Sequence, residues 1–293
     1  MSFNKYSKYI FDFELLDKKF PDEQNQERYY NRWMEKYNSV FETENNFKCI
    51  EWDLRCKKSL KEIFSSATFF IEAKKNLETK CFSSYYFCLY YSLFHALYAL
   101  TFLDPYLEIS KLLSTTHLNL INRFINSFSG SKKNIIDENI KKLFNDLKYK
   151  REYYSYCTPF NNLFNPYEDI DVLETELLVC YQLCAFHSLM IEKSYQKKCG
   201  TIVTIDKNNY LEFNKTFNQL FSKINTYNEY VLDDSCKNIY YEILQYGSIP
   251  QYISIDLEHQ FDEFHTYDSF YKCISKSDLN ILDIWVVICN AIS

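Results

Sequence analysis

Apolar side chains recur at three- and four-residue steps over most of the chain, the spacing that gathers them on one face of an α-helix. Between about Trp52 and Lys80, the positions Leu60, Ile63, Phe64, Ala67, Phe70, Ile71 and Leu77 repeat this way with Lys and Glu between them, which predicts a long first helix. The next stretch, Ser83 to Leu103, is apolar on nearly every side. It ends at Asp104-Pro105, because the residue before a proline is pushed out of the helical region. A helix of that kind belongs at the centre of a bundle. Helical stripes follow at Ser110–Phe128, stopped by Gly130-Ser131, at Ile135–Tyr156, stopped by Pro159 and Pro166, and at Tyr167–Lys198. Five helices joined by short links predict an up-and-down bundle over residues 45–198.

The flanks read differently. Residues 1–44 mix aromatic and charged side chains around Pro21 and predict an N-terminal arm of short helices lying on the bundle. Beyond Gly200, TIVTID (201–206) and QYISID (251–256) alternate like strands and are expected to pair as a small two-stranded sheet. Helical runs lie between them at Tyr210–Val231 and Ser235–Tyr246, and Ser277 stands as the N-cap of a terminal helix through Asn290. The predicted fold is mainly α, a bundle with a smaller C-terminal α or α+β appendage over 199–293.

Composition narrows the classes. A chain of 293 residues with 47% apolar and 25% charged side chains can bury a large core. Only three Gly and five Pro argue against hairpin-rich all-β folds, Rossmann units and phosphate-cradling loops. The net charge of −6 is unevenly spread: residues 1–44 carry 7 Lys/Arg against 9 Asp/Glu, residues 45–198 carry 20 against 17, and residues 199–293 carry 6 against 13. Generic binding to nucleic acid through phosphates needs a basic surface, which only the middle segment offers, and DNA is not an expected partner. Eleven scattered cysteines without a CxxC, behind a charged N-terminus, fit a reducing cytoplasm. The 23 residues 81–103 carry no formal charge, but five Tyr, four Ser or Thr and His95 make them too polar for a membrane span.

Chemistry-bearing clusters are few. Cys180, Cys184 and His187 fall at i, i+4 and i+7 of one helix and read as core packing, since three ligands in a row along a helix seldom converge on a tetrahedral metal. Asp256, Glu258, His259, Asp262, Glu263 and His265 read as a solvated acidic face. His95 reads as a satisfied core residue. No metal and no cofactor is expected.

Three segments, in this order, resemble the HEPN ("higher eukaryotes and prokaryotes nucleotide-binding") superfamily of helical bundles over about residues 48–198: SSYYFCLYYSLFHALYAL at 83–100, STTHLNLINRF at 114–124 and LKYKREYYSY at 147–156. Several bacterial members carry Thr-His on the third helix and Arg-x-x-Ala-Asp-Tyr on the fourth. By that match His117 corresponds to the helix-three histidine, and Arg151 and Tyr156 keep the Arg and Tyr, whereas Tyr154 replaces Ala and Ser155 replaces Asp. Ribonucleases of this superfamily use an Arg followed by His after four to six residues, and none of Arg28, Arg32, Arg55, Arg123 and Arg151 has a His there. Tyr156, which takes that place after Arg151, titrates near ~10 in isolation and is a poor substitute for imidazole.

The resemblance therefore implies a HEPN-like binding or regulatory protein lacking the standard nuclease motif, set in a bacterial defence or toxin–antitoxin-type module. A homodimer, a protein partner and RNA or a nucleotide are the partners it implies. Two rivals stand beside it: a metal-independent endoribonuclease with a non-standard His117, Arg151 and Tyr156 site, and a structural subunit of a complex. In the first two readings these three residues should be neighbours, Arg151 supplying a permanent cation, His117 a transferable proton and Tyr156 an aromatic face; the plain alternative for His117 and Arg151 is a structural polar contact that ties helix three to helix four.

Overall fold

The computed structural model describes residues 2–9, 12–42, 46–114, 116–129, 134–157, 163–224, 230–265 and 281–292. A 3-10 turn (Phe3–Tyr6) and helices α1 (Glu14–Lys19) and α2 (Glu23–Val40) lead into α3 (Asn46–Glu78), α4 (Phe82–Phe102), α5 (Ile109–Leu113), α6 (His117–Phe128), α7 (Asn139–Tyr156) and α8 (Pro166–Lys198). After these come α9 (Tyr210–Phe221), an antiparallel pair of two-residue strands, β1 (Lys223–Ile224) and β2 (Tyr230–Val231), then α10 (Asp234–Tyr246), α11 (Ile253–His265) and α12 (Ile281–Ile292). The fold is mainly α-helical.

The charge-free α4 packs along α3 and against α6, α7 and α8, burying Tyr85, Tyr86, Leu89, Tyr90, Leu93, Ala96, Leu97 and Leu100. Its hydroxyls find partners inside, as buried polar groups must. Ser66 Oγ on α3 donates to Ser92 O at 2.7 Å, Ser92 Oγ donates back to Ser66 O at 2.9 Å, and Tyr181 Oη on α8 donates to Ser66 Oγ at 2.6 Å. Among the described residues, no helix is long and apolar enough to cross a membrane. One stripe of α4 remains uncovered. Phe87, Tyr91, Phe94, His95 and Tyr98 share a face and are only partly buried, so an apolar pattern all round did not mean burial all round.

Elsewhere the structure redraws several predicted boundaries. α3 starts at Asn46, six residues before Trp52, and the predicted helix Ser110–Phe128 is two helices, because the Thr116 side chain accepts the Asn119 N–H and starts α6 afresh. The run Tyr210–Val231 stops at Phe221 and turns into the β1–β2 hairpin. TIVTID and QYISID do not form a sheet with each other. Val203 forms an isolated antiparallel bridge with Ser248, while Ile253–Asp256 begin α11. Gly247, at φ 87°, makes that approach possible, since a Cβ there would meet Ile202 Cγ2 at 2.5 Å and Val203 O at 2.9 Å. Ser277 lies outside the described residues.

A continuous core joins all three segments of the chain, with Phe3, Phe13, Leu16 and Trp33 from the arm and Phe213, Cys236, Ile243 and Ile288 from the C-terminal part. The C-terminal part is also held by polar contacts from successive turns of α3. Ser248 Oγ donates to Asp53 Oδ2 at 2.6 Å, Lys57 pairs with Asp256 at 2.9 Å and Lys61 with Asp233 at 2.6 Å. Burial pushes the Asp53 carboxyl up to about 6. Asp256 of the acidic cluster thus faces a lysine rather than bulk water; the side chains of His259, Asp262, Glu263 and His265 lie outside the described residues.

Candidate functional site

The row Cys180, Cys184, His187 lies in the core of α8. The His187 Nδ1 is 2.8 Å from Tyr37 Oη and its Nε2 is 2.7 Å from Tyr29 Oη. Tyr37 spends its one hydrogen on the Leu103 carbonyl at 2.7 Å, so His187 donates from Nδ1 and accepts the Tyr29 hydroxyl at Nε2. Burial, helped by the charges of Lys36 and Arg32, pushes its pKa well below the usual histidine range and keeps the ring neutral. Both nitrogens are used, and nothing remains for a ligand.

A second imidazole–tyrosine pair lies where α4, α6 and α7 meet. The cap at Thr116 makes His117 the first residue of α6, and Leu120, Ile121 and Phe124 hold that helix in the core. On α7, Phe144 and Leu147 are buried, with the Phe144 ring 5.2 Å from that of Tyr90, and Arg151 follows one turn after Leu147. Two of the three predicted residues therefore converge on one tyrosine. His117 Nδ1 is hydrogen-bonded to the Tyr90 hydroxyl, and the Arg151 guanidinium lies 4.5 Å from the Tyr90 ring centre and 5.9 Å from that of Tyr91. Burial, then the positive charges of Arg151 and Lys148, lower the His117 pKa against the opposing pull of Glu152. The Arg151 side chain is 16% exposed and is bonded to its neighbour Glu152 at 3.2 Å.

Tyr156 is elsewhere. Its five-residue step from Arg151 carries it about 140° around the helix, and it is 80% exposed. Tyr154 is buried, stacked on Tyr86 with ring centres 4.9 Å apart. Ser155, one turn beyond Arg151 on the same face, is exposed and supplies no carboxylate to pair with it.

The uncovered stripe of α4 runs beside this cluster. His95, 22% exposed, stacks on Phe69 at 5.4 Å, and its Nδ1 lies 2.6 Å from Glu62 Oε2. Lys58 pairs with the other oxygen of Glu62 at 2.6 Å. Burial works to raise the Glu62 pKa, but Lys58 and His95 together outweigh it and hold the carboxylate at about 2. Phe94 touches both histidines, with ring centres 5.4 Å from His95 and 4.6 Å from His117. Sequence reasoning missed Glu62, Tyr90, Tyr91 and Phe94 and placed His95 in the core. The signal was the spacing 87, 91, 94, 95, 98, a single helical face that carries rings with polar atoms.

No known family model matches the chain, and neither a curated protein nor a solved structure does.

Proposed function

We propose that this chain is a HEPN-like protein that binds single-stranded RNA on the open face of α4, in the defence or toxin–antitoxin-type setting that the resemblance implies. The observation that carries this reading is the Arg151 guanidinium over Tyr90, next to His117 and continuous with Tyr91, Phe94 and the 42% exposed Phe87. A planar cation beside accessible rings suits a chain of phosphates and bases: arginine holds the phosphate, and each base that stacks on an aromatic side chain contributes about 1–3 kcal/mol. The site lies in the part of the sequence whose formal charge is positive, residues 45–198.

Fluorescence anisotropy with a labelled single-stranded oligoribonucleotide tests this. We expect saturable binding that weakens with added salt, and Arg151→Ala should reduce affinity about tenfold while leaving the melting temperature within a few degrees. No saturable binding at low salt, or an Arg151→Ala protein that binds as tightly as the parent, would remove the proposal.

A further inference from the structure

Away from the α4 face, a second cleft of about 440 Å³ opens where α2, the link from α4 to α5 and the last turn of α6 meet. Arg32 and Lys36, one turn apart on α2, both line it, as does Tyr106, which is 69% exposed. The Lys36 ammonium lies 3.9 Å from the Trp33 ring centre and 4.9 Å from that of Tyr106, so its stem is held between rings. Among the described residues, no carboxylate is within ion-pair distance of that ammonium and no acceptor takes a hydrogen bond from it.

The charge around it is one-sided. Arg32 holds its guanidinium at the same cleft, where Nη2 donates to Asn134 Oδ1 at 2.8 Å. Among the described residues, no acidic side chain lines the cleft. The opposing group is the buried Asp104, whose carboxylate accepts the Tyr106 N–H at 2.9 Å and the Ser127 hydroxyl. It is outweighed, because burial and Arg32 together lower the Lys36 pKa against its pull, and the same two cations help to depress His187. Carbonyls at the end of α6 would repel an anion, but two of them already have donors. Ile125 O accepts the Ser129 N–H at 3.2 Å, and Ser129 O accepts from Asn134 Nδ2 at 2.7 Å.

We propose that this cleft binds a dianionic phosphate group, free or carried as the monoester of a small molecule, with Lys36 and Arg32 as its cations. Two cations on one helical face match the double charge and three terminal oxygens of such a group, whereas a phosphodiester offers one charge and two. Asn126 and Tyr106, both exposed, offer an amide and a ring to the rest of an ester. The cleft is separate from the Arg151 cluster. His117 begins α6, and Ser127 follows about 15 Å further along that helix, so the proposal does not depend on RNA binding.

Calorimetric titration of the full chain at low salt tests this, with inorganic phosphate, glucose 6-phosphate, dimethyl phosphate and glucose as separate titrants. Expected are saturable one-to-one binding of phosphate and of glucose 6-phosphate in competition with each other, binding of dimethyl phosphate weaker by about tenfold or more, no binding of glucose, and affinity that falls as salt is added. Tighter binding of glucose 6-phosphate than of phosphate makes the monoester the source of the group, and equal affinity makes it free phosphate. Lys36→Met keeps an apolar stem between the rings and removes the charge; it should weaken phosphate binding about tenfold or more, as should Lys36→Gln, while Lys36→Arg should stay within a few-fold of the parent. Arg151→Ala should bind phosphate like the parent. Melting temperatures measured without titrant check that each variant is folded. The proposal is overturned if phosphate does not bind saturably to the parent chain, if dimethyl phosphate binds as tightly as phosphate, or if folded Lys36→Met and Lys36→Gln bind like the parent. Phosphate binding that is lost in Arg151→Ala would belong to the α4 face and overturns it equally.

Discussion

His187 and His117 each meet a tyrosine hydroxyl, yet one lies sealed among α2 and α8 and the other sits at the open junction of α4, α6 and α7. At His187 two hydroxyls use both ring nitrogens, and Trp33 and Phe128 close over it with ring centres 4.5 and 5.3 Å away. At His117 one hydroxyl takes Nδ1, a guanidinium stands on the same tyrosine, and the ring stays partly exposed. Residue type does not distinguish these two roles. The second nitrogen does, because a donor or acceptor whose partners are complete can only hold structure, whereas an incomplete one near solvent can meet a ligand.

The largest effect should come from emptying the sealed site. His187→Ala leaves a cavity and strips the Tyr29 hydroxyl of its acceptor, and together these should cost about 4 kcal/mol in urea unfolding. His117→Ala, at a partly exposed position, should cost about 1 kcal/mol or less. Comparable losses from the two variants would break the comparison.

Acidification should separate the same pair more finely. A histidine whose pKa is depressed in the folded state contributes stability that is present above its unfolded value near ~6.5 and is lost as pH falls below it. Both histidines shift in that direction, His187 much further. Asp53 acts with the opposite sign. Raised to about 6, it contributes stability that is present below ~4 and is lost as pH climbs towards 6. Urea midpoints between pH 7.5 and 5 should therefore drop in the parent chain, and the drop should shrink in His187→Gln, whose amide can donate to Tyr37 and accept from Tyr29 without titrating. An unchanged drop in that variant would mean that His187 is not the group responsible.

How much of this was legible beforehand depended on how local each cause was. Pro105 as a stop and the stripe Leu120, Ile121, Phe124 on α6 act within one or two turns, and the sequence displays them directly, whereas Thr116, which lies inside the predicted helix Ser110–Phe128, caps α6 and splits it. His117 and Arg151 as neighbours came from the motif order, not from periodicity. The hairpin after Phe221 escaped because helical spacing continues past the point where the chain turns. Glu62 escaped for a different reason: a glutamate between lysines on a helix looks solvated, and only its partner 33 residues away, His95, makes it a buried anion. Tyr156 was misjudged by treating adjacency in a motif as adjacency in space, although five residues place it on another side of α7.

The smallest effect should come from Ser155. It lies one turn beyond Arg151 on the same face of α7, the spacing at which side chains on a helix meet. Ser155→Asp would place a carboxylate there and add a competitor for the guanidinium besides Glu152. An exposed pair at this spacing is worth about 0.3–0.5 kcal/mol, so RNA affinity should fall roughly twofold at low salt. The fall should fade as salt screens the new charge, and Ser155→Asn, of the same shape without the charge, should bind like the parent. His187 lies on another helix and should not register either change, so the melting temperature should stay within about a degree. A Ser155→Asp protein that binds RNA as well as Ser155→Asn at low salt would show that Arg151 does not carry the contact, and the open histidine would then lose the neighbour that sets it apart from the sealed one.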